Sequence, residues 1–140
     1  MTPFIANIIK QGCPTVDIGA PFIEIVQTLA KAHTGTLVVV DKNRKVMGIL
    51  SERDIVRHLS RQKAVESCTA KNLMTKNIIS ADSKVTSSGL MALMVQNNIR
   101  HVPIINDGEL LGLVSITDVI TRLLDKQLEE TELMKKWINS

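Results

Sequence analysis

Ser51 and Asp54 stand three residues apart in the stretch Gly-Ile-Leu-Ser-Glu-Arg-Asp (48–54). Ser115 and Asp118 keep the same spacing in Gly-Leu-Val-Ser-Ile-Thr-Asp (112–118). Two apolar residues before the serine and an apolar helical pattern after the aspartate put each pair where a strand gives way to a helix. The first turn of a helix offers free N–H groups and a positive dipole end, which suit an anion such as phosphate. A serine hydroxyl donates or accepts, and a carboxylate can accept from two neighbouring hydroxyls, such as those of a ribose. Gly48 and Gly112, lacking a Cβ, let another object approach the backbone closely. The same letters also spell a capping box, in which serine and aspartate satisfy each other's backbone N–H groups and stabilise the helix by ~1 kcal/mol. Local chemistry leaves both readings open. Recurrence at matched positions favours binding.

The recurrence extends over most of the 140 residues. An offset of 65 sets Asn7 on Asn72, Thr15 on Ser80, Asp17 on Asp82 and Leu37–Val40 on Val102–Ile105. An offset of 64 then sets Gly48 on Gly112, Ser51 on Ser115, Asp54 on Asp118 and Leu59 on Leu123. The slip falls between Asp41 and Gly48, in turn residues, where a length change does not flip a strand's side chains. Each copy predicts a short lead with a helical turn and a brief strand, a helix, a buried strand, a hairpin and a closing helix. The fold class is therefore α+β, with β-α-β-β-α written twice. Phe22, Ile23, Ile25, Val26, Leu29 and Ala30 recur at helical spacing, as do Leu90, Met91, Leu93 and Met94. Ile55, Val56 and Leu59, and Val119, Ile120, Leu123 and Leu124, are expected on the buried sides of the closing helices. The boundaries are residues 1–63 for the first repeat, 64–70 for a linker, 71–126 for the second repeat and 127–140 for a charged helical tail. One copy alone would bury only ~60% of its unfolded surface, so the pair is expected to be the folding unit.

Composition narrows the classes. Apolar residues at 44% and charged residues at 22% suit a packed globular chain. Two Phe, one Trp and no Tyr leave few rings for stacking bases, and a net charge of +3 lacks the dense basic face of a duplex binder. Arg57, His58, Arg61 and Lys63 form only a loose basic cluster. Cys13 and Cys68 have neither zinc-ligand nor disulfide-framework spacing. The sequence holds no run of ~18 apolar residues such as a membrane-spanning helix needs, and "MTPFIANIIKQG" lacks a secretory pattern, so a cytoplasmic protein is expected. The histidines, His33, His58 and His101, show no metal-ligand spacing, and His33 reads as a surface or helix-end residue. With no phosphate loop, dinucleotide fingerprint or nucleophile elbow, no enzyme and no required cofactor or metal is expected.

Taken in order, "LMT" opening a repeat, "RHVPI" on the buried strand and Gly-h-h-Ser-x-x-Asp (h, apolar) closing the next resemble tandem CBS domains, named for cystathionine β-synthase. The resemblance runs from about Asn7 to Leu124. It implies a pseudo-twofold regulatory pair, a Bateman module, with two clefts for adenosine-containing ligands: AMP, ADP, ATP or S-adenosylmethionine. It assigns phosphate and ribose contacts to Ser51 and Asp54 in one cleft and to Ser115 and Asp118 in the other. Adenine contacts fall to Thr15, Val16 and Leu37, and to Ile79, Ser80, Val102 and Pro103. Arg100 and His101 stand where basic groups meet phosphate; the first copy has Gly35 and Thr36 there, so the clefts should differ. The resemblance also implies homodimers and a protein partner that reads occupancy. The alternative is an interaction module with empty clefts, in which serine and aspartate are only caps.

Overall fold

The computed structural model describes residues 1–32, 34–61 and 64–139; His33 and Lys63 lie outside them. A nine-residue helix, α1 (Pro3–Gln11), opens the chain. The Thr2 hydroxyl caps it by accepting from Ile5 N at 3.2 Å, Pro3 sits in its first turn, and Gly12 ends it at φ 76°. Next come β1 (Thr15–Asp17), α2 (Phe22–Ala32), β2 (Thr36–Val40), β3 (Val46–Ser51) and α3 (Glu52–Ser60). The second half holds α4 (Ala70–Leu73), α5 (Ser87–Asn97), β4 (His101–Asn106), β5 (Glu109–Ser115) and α6 (Ile116–Asn139). β1 runs parallel to β2, which pairs antiparallel with β3; β4 and β5 form a separate antiparallel hairpin. Each hairpin carries a register shift at the matched place, Val39/Val40 and Ile104/Ile105.

The hairpin turns explain the slip in the repeat. Asp107 and Gly108, at φ 49° and 81°, make the tight second turn. In the first, the Asp41 carboxylate accepts from Asn43 N and Lys45 N at 2.8 and 2.9 Å, holding a longer loop with Arg44 at φ 62°.

The two repeats differ in their leads. Ile79 and Ser80 were expected on a strand matching β1, but only Ala81 bridges, to Ile104. In the first repeat Val38 N donates to Pro14 O at 3.1 Å. The matched donor in the second is Pro103, which has no N–H, so that rung is missing. One residue pair beyond β1, Ile18 N donates to Val40 O; the counterpart donor, Ser83 N, turns instead to the Asn106 side chain at 2.9 Å.

The expected face-to-face core is in fact two clusters, each built from both repeats. One joins Val16, Ile25, Leu29, Leu37, Val39 and Leu50 to Ala70 and Leu73 of α4. The other joins Leu90, Met94, Val102, Ile104, Val114 and Val119 to Ile5 and Ile8 of α1. The lead helices are thus exchanged, and packing crosses the sequence boundary at 64–70. The exchange is also what the glycines serve. A Cβ on Gly48 would lie 2.7 Å from Thr75 O and 2.8 Å from Met74 Sδ; one on Gly112 would lie 3.1 Å from Ile8 Cγ2. The objects passing close to both glycines are segments of this chain.

A second correction concerns the helix faces. Ile23, Val26, Val56, Leu59, Ile120 and Leu124 are exposed, Val56 at 63% and Leu59 at 52%, and Ala30 is exposed too. Each apolar stripe is wider than the strip that faces its own sheet, so part of it stays uncovered.

Gly48→Ala should destabilise the chain by about 1–3 kcal/mol, since backbone blocks the new methyl. Gly112→Ala should cost less, because the Ile8 side chain can yield. Urea unfolding compares them, and equal losses would contradict this packing.

Candidate functional site

The serine–aspartate pairs converge because the strands that carry them converge. Ser51 closes β3 opposite Thr36, the first residue of β2, and Ser115 closes β5 opposite His101, the first residue of β4. Thr36 Oγ1 lies 3.4 Å from His101 Nδ1, and these two residues are repeat counterparts. The pseudo-twofold axis therefore passes between them, with one pair on either side. Glu52 N donates to Gly35 O at 2.9 Å and Ile116 N to Arg100 O at 2.8 Å, so both helices start alike.

Both pairs form the reciprocal cap. Ser51 N and Asp54 N donate to Asp54 Oδ2 and Ser51 Oγ at 2.8 and 3.2 Å. Ser115 N and Asp118 N donate to Asp118 Oδ2 and Ser115 Oγ at 2.9 and 3.1 Å. Beyond the cap the pairs diverge. Asp54 is buried, and Ser51 Oγ also donates to its Oδ2 at 3.0 Å. Its Oδ1 receives Arg57 Nη1 at 3.5 Å and Thr75 Oγ1 at 3.4 Å. Thr75 belongs to the exchanged lead, and its own N–H and C=O bond Ile49 at 2.7 and 3.0 Å. At the matched places the second pair has Lys10 and Thr121. Asp118 is half-buried, and its Oδ1 has no hydrogen-bond partner among the described residues.

Asp118 instead lines a cavity of about 310 Å³ between α1 and α6, with Asn7 and Gln11 on one wall and Thr121, Arg122 and Asp125 on the other. Phe4 and Ile8 add apolar surface. Arg122 also borders an adjoining space of about 150 Å³. Of the residues nominated for ligand contact, only Asp118 lines either space. Val16, Leu37 and Val102 have their side chains in the two cores, so they can offer a ligand only backbone. Pro103 is buried, Thr15 and Ile79 are half-buried, and Ser80 and Arg100 are exposed. The sequence reading missed Thr75, Asn7 and Gln11, since nothing local in the leads says which repeat they will meet.

Burial lowers the His101 pKa below its ordinary 6.5; Asp118 opposes that shift and Arg100 adds to it. His58 Nδ1 is buried without a hydrogen-bond partner among the described residues. Burial pushes the Cys13 thiol up to about 11, which leaves it protonated and unreactive at neutral pH. Among the described residues no group of three or more His, Cys, Asp or Glu is placed to hold a metal ion. Nor is any helix there long and apolar enough to cross a membrane.

The family model described as CBS domain matches twice, over residues 5–61 and 70–125. The chain belongs to the CBS-domain family. As a tandem pair it is a regulatory module. It is 38% identical over 105 residues to an uncharacterized 17.7 kDa protein of Acidianus ambivalens, covering 73% of this chain and 62% of that one. It is 30% identical over 122 residues to the mitochondrial CBS domain-containing protein CBSX3 of Arabidopsis thaliana, covering 82% of this chain and 58% of that one. The chain thus spans about six-tenths of each of these curated relatives. Among solved structures, the CBS-domain protein ATU1752 of Agrobacterium tumefaciens superposes with a TM-score of 0.75 at 30% identity, over 84% of this chain and 90% of that one. CBSX2 in complex with AMP superposes with a TM-score of 0.73 at 17% identity, over 88% and 97%; at that identity it bears on the fold alone.

The lowered His101 pKa gives this CBS pair a pH dependence. Because the folded state favours the neutral ring, the stabilisation is complete above pH 6.5 and is lost as pH falls through the lowered folded value. The melting temperature should therefore drop on acidification below pH 6.5, and His101→Gln should flatten that part of the profile. An unchanged slope in the variant would assign the acid sensitivity to other groups.

Proposed function

We propose that this CBS pair senses an adenosine-containing ligand in one cleft, the one bordered by Asp118, and passes occupancy to a dimer mate or partner protein. The observation that carries the reading is Asp118, whose Oδ1 has no hydrogen-bond partner among the described residues, on the lining of a 310 Å³ cavity. A carboxylate already held by a cap needs no rearrangement to accept ribose hydroxyls. The volume falls at the lower end of the range for small-molecule pockets. Phe4 and Ile8 supply apolar contact, and Arg122 a counter-charge for phosphate. Asp118 and Asp125 outnumber Arg122 on that lining, which favours AMP or S-adenosylmethionine over the more highly charged ADP and ATP. The complex of the fold relative CBSX2 with AMP supports the ligand class.

On this reading Asp54 is a structural residue. Its carboxylate accepts four hydrogen bonds, from Ser51 N and Oγ, Arg57 and Thr75, which favours the cap interpretation for the first repeat. The exposed Ile23, Val26, Val56, Leu59, Ile120 and Leu124 supply the apolar surface of a homodimer, in which ligand closure could be felt across the interface.

Ligand at 100 times its Kd stabilises the folded state by about 2.7 kcal/mol. Scanning fluorimetry with AMP, ADP, ATP and S-adenosylmethionine should therefore show a rise of several degrees with AMP or S-adenosylmethionine. Asp118→Asn should abolish the shift, whereas Asp54→Asn should lower the starting melting temperature and keep it. No shift with any of the four would leave an interaction module with two capped helices.

A further inference from the structure

Helix α6 is 24 residues long, yet Val119 is the buried residue on it, and every residue from Leu124 to Asn139 is exposed. That stretch projects ~24 Å from the fold. A helix of this length is marginal in water without a packed face, so it needs a partner.

The pattern on the projecting part says which. From Ile120 the spacing alternates four and three: Ile120, Leu124, Gln127, Thr131, Met134, Ile138. These are the d and a positions of a heptad repeat, and they continue without a break from the exposed Ile120 and Leu124 of the body. The outward b, c and f positions are Asp125, Lys126, Glu129, Glu132, Leu133, Lys136 and Asn139, charged at all but two. Beside the seam, Leu128 and Lys135 occupy e, and Glu130 and Trp137 occupy g. Side by side in the same direction, two copies bring Glu130 of each to Lys135 of the other. Run in opposite directions, g would meet g and e would meet e, and the pairing of unlike charges is lost. Asp125, Glu129, Glu130 and Glu132 outnumber Lys126, Lys135 and Lys136, so an anionic membrane surface is a poor match for the same face.

We propose that α6 beyond Ile120 pairs in parallel with α6 of a second copy, setting the second repeats of the two modules against each other. The inference rests on the homodimer reading above and adds to it the seam and the orientation. The polar Gln127 and Thr131 layers hold the register.

The test uses the full chain in analytical ultracentrifugation, with circular dichroism to show that each variant keeps its fold. The double variant Met134→Glu/Ile138→Glu should raise the dimer dissociation constant at least tenfold. Glu130→Lys and Lys135→Glu should each weaken the dimer, and the two together should restore it. Thr131→Cys should give a covalent dimer on mild oxidation that the unsubstituted chain does not form. A dimer indifferent to all of these would overturn the seam while leaving dimerisation through the body intact. A monomer at every concentration would overturn both readings. A dimer broken by Met134→Glu/Ile138→Glu but neither rescued by the charge exchange nor cross-linked at 131 would overturn the parallel arrangement. Co-sedimentation of α6 variants' parent chain with phosphatidylserine vesicles, lost on Ile138→Glu, would assign the face to membrane instead.

Discussion

Everything in this fold depends on the exchange of two short helices. α1 carries Ile5 and Ile8 into the cluster of the second repeat, and α4 carries Ala70 and Leu73 into that of the first. All four are nearly or fully buried, each core would open to water without them, and full burial of an Ile or Leu contributes about 1.5–3 kcal/mol. Neither repeat's core is complete without the other's lead, and the packing joins two units that would each be too small to be comfortable alone. The glycines follow from the same contact. Gly48 is bare because Thr75 and Met74 must pass over it, and Gly112 because Ile8 must.

The exchange also makes the two serine–aspartate turns unequal. The segment that leaves α4 pairs with Ile49 and places the Thr75 hydroxyl on Asp54, while Arg57 reaches the same oxygen. The counterpart segment after α1 brings no such group to Asp118, and a cavity stands there instead. Capping and ligand binding are then not rivals for one function. A cap uses one carboxylate oxygen and fixes the side chain; what decides whether the turn can also bind is the fate of the other oxygen.

Much of this was legible in the sequence. The doubled motif placed both strand-to-helix turns, and the 65-to-64 slip landed in the hairpin loops, because length changes are tolerated where no ladder has to be kept. The exchange was not legible, since "NIIKQG" and "NLMTKN" are equally good leads for either core and pairing between distant segments leaves no local mark. The weakened lead strand of the second repeat was available in principle: Pro103 stands at a donor position that Val38 fills in the first. The helix stripes misled for a different reason. Periodicity says that Val56, Leu59, Ile120 and Leu124 belong against something apolar, without saying that it is outside the chain. Val16, Leu37 and Val102 were assigned to a ligand by resemblance; their side chains are buried, those of Leu37 and Val102 within continuous buried runs of β2 and β4, which leaves their backbone to meet a ligand.

The most direct test of the account is a crystal structure of the chain soaked with AMP. One nucleotide per chain is expected, with its ribose hydroxyls on Asp118 and the Asp54 network undisturbed. A nucleotide bound at Asp54 with Arg57 and Thr75 displaced, or one in each cleft, would contradict the inequality on which this reading of the molecule rests.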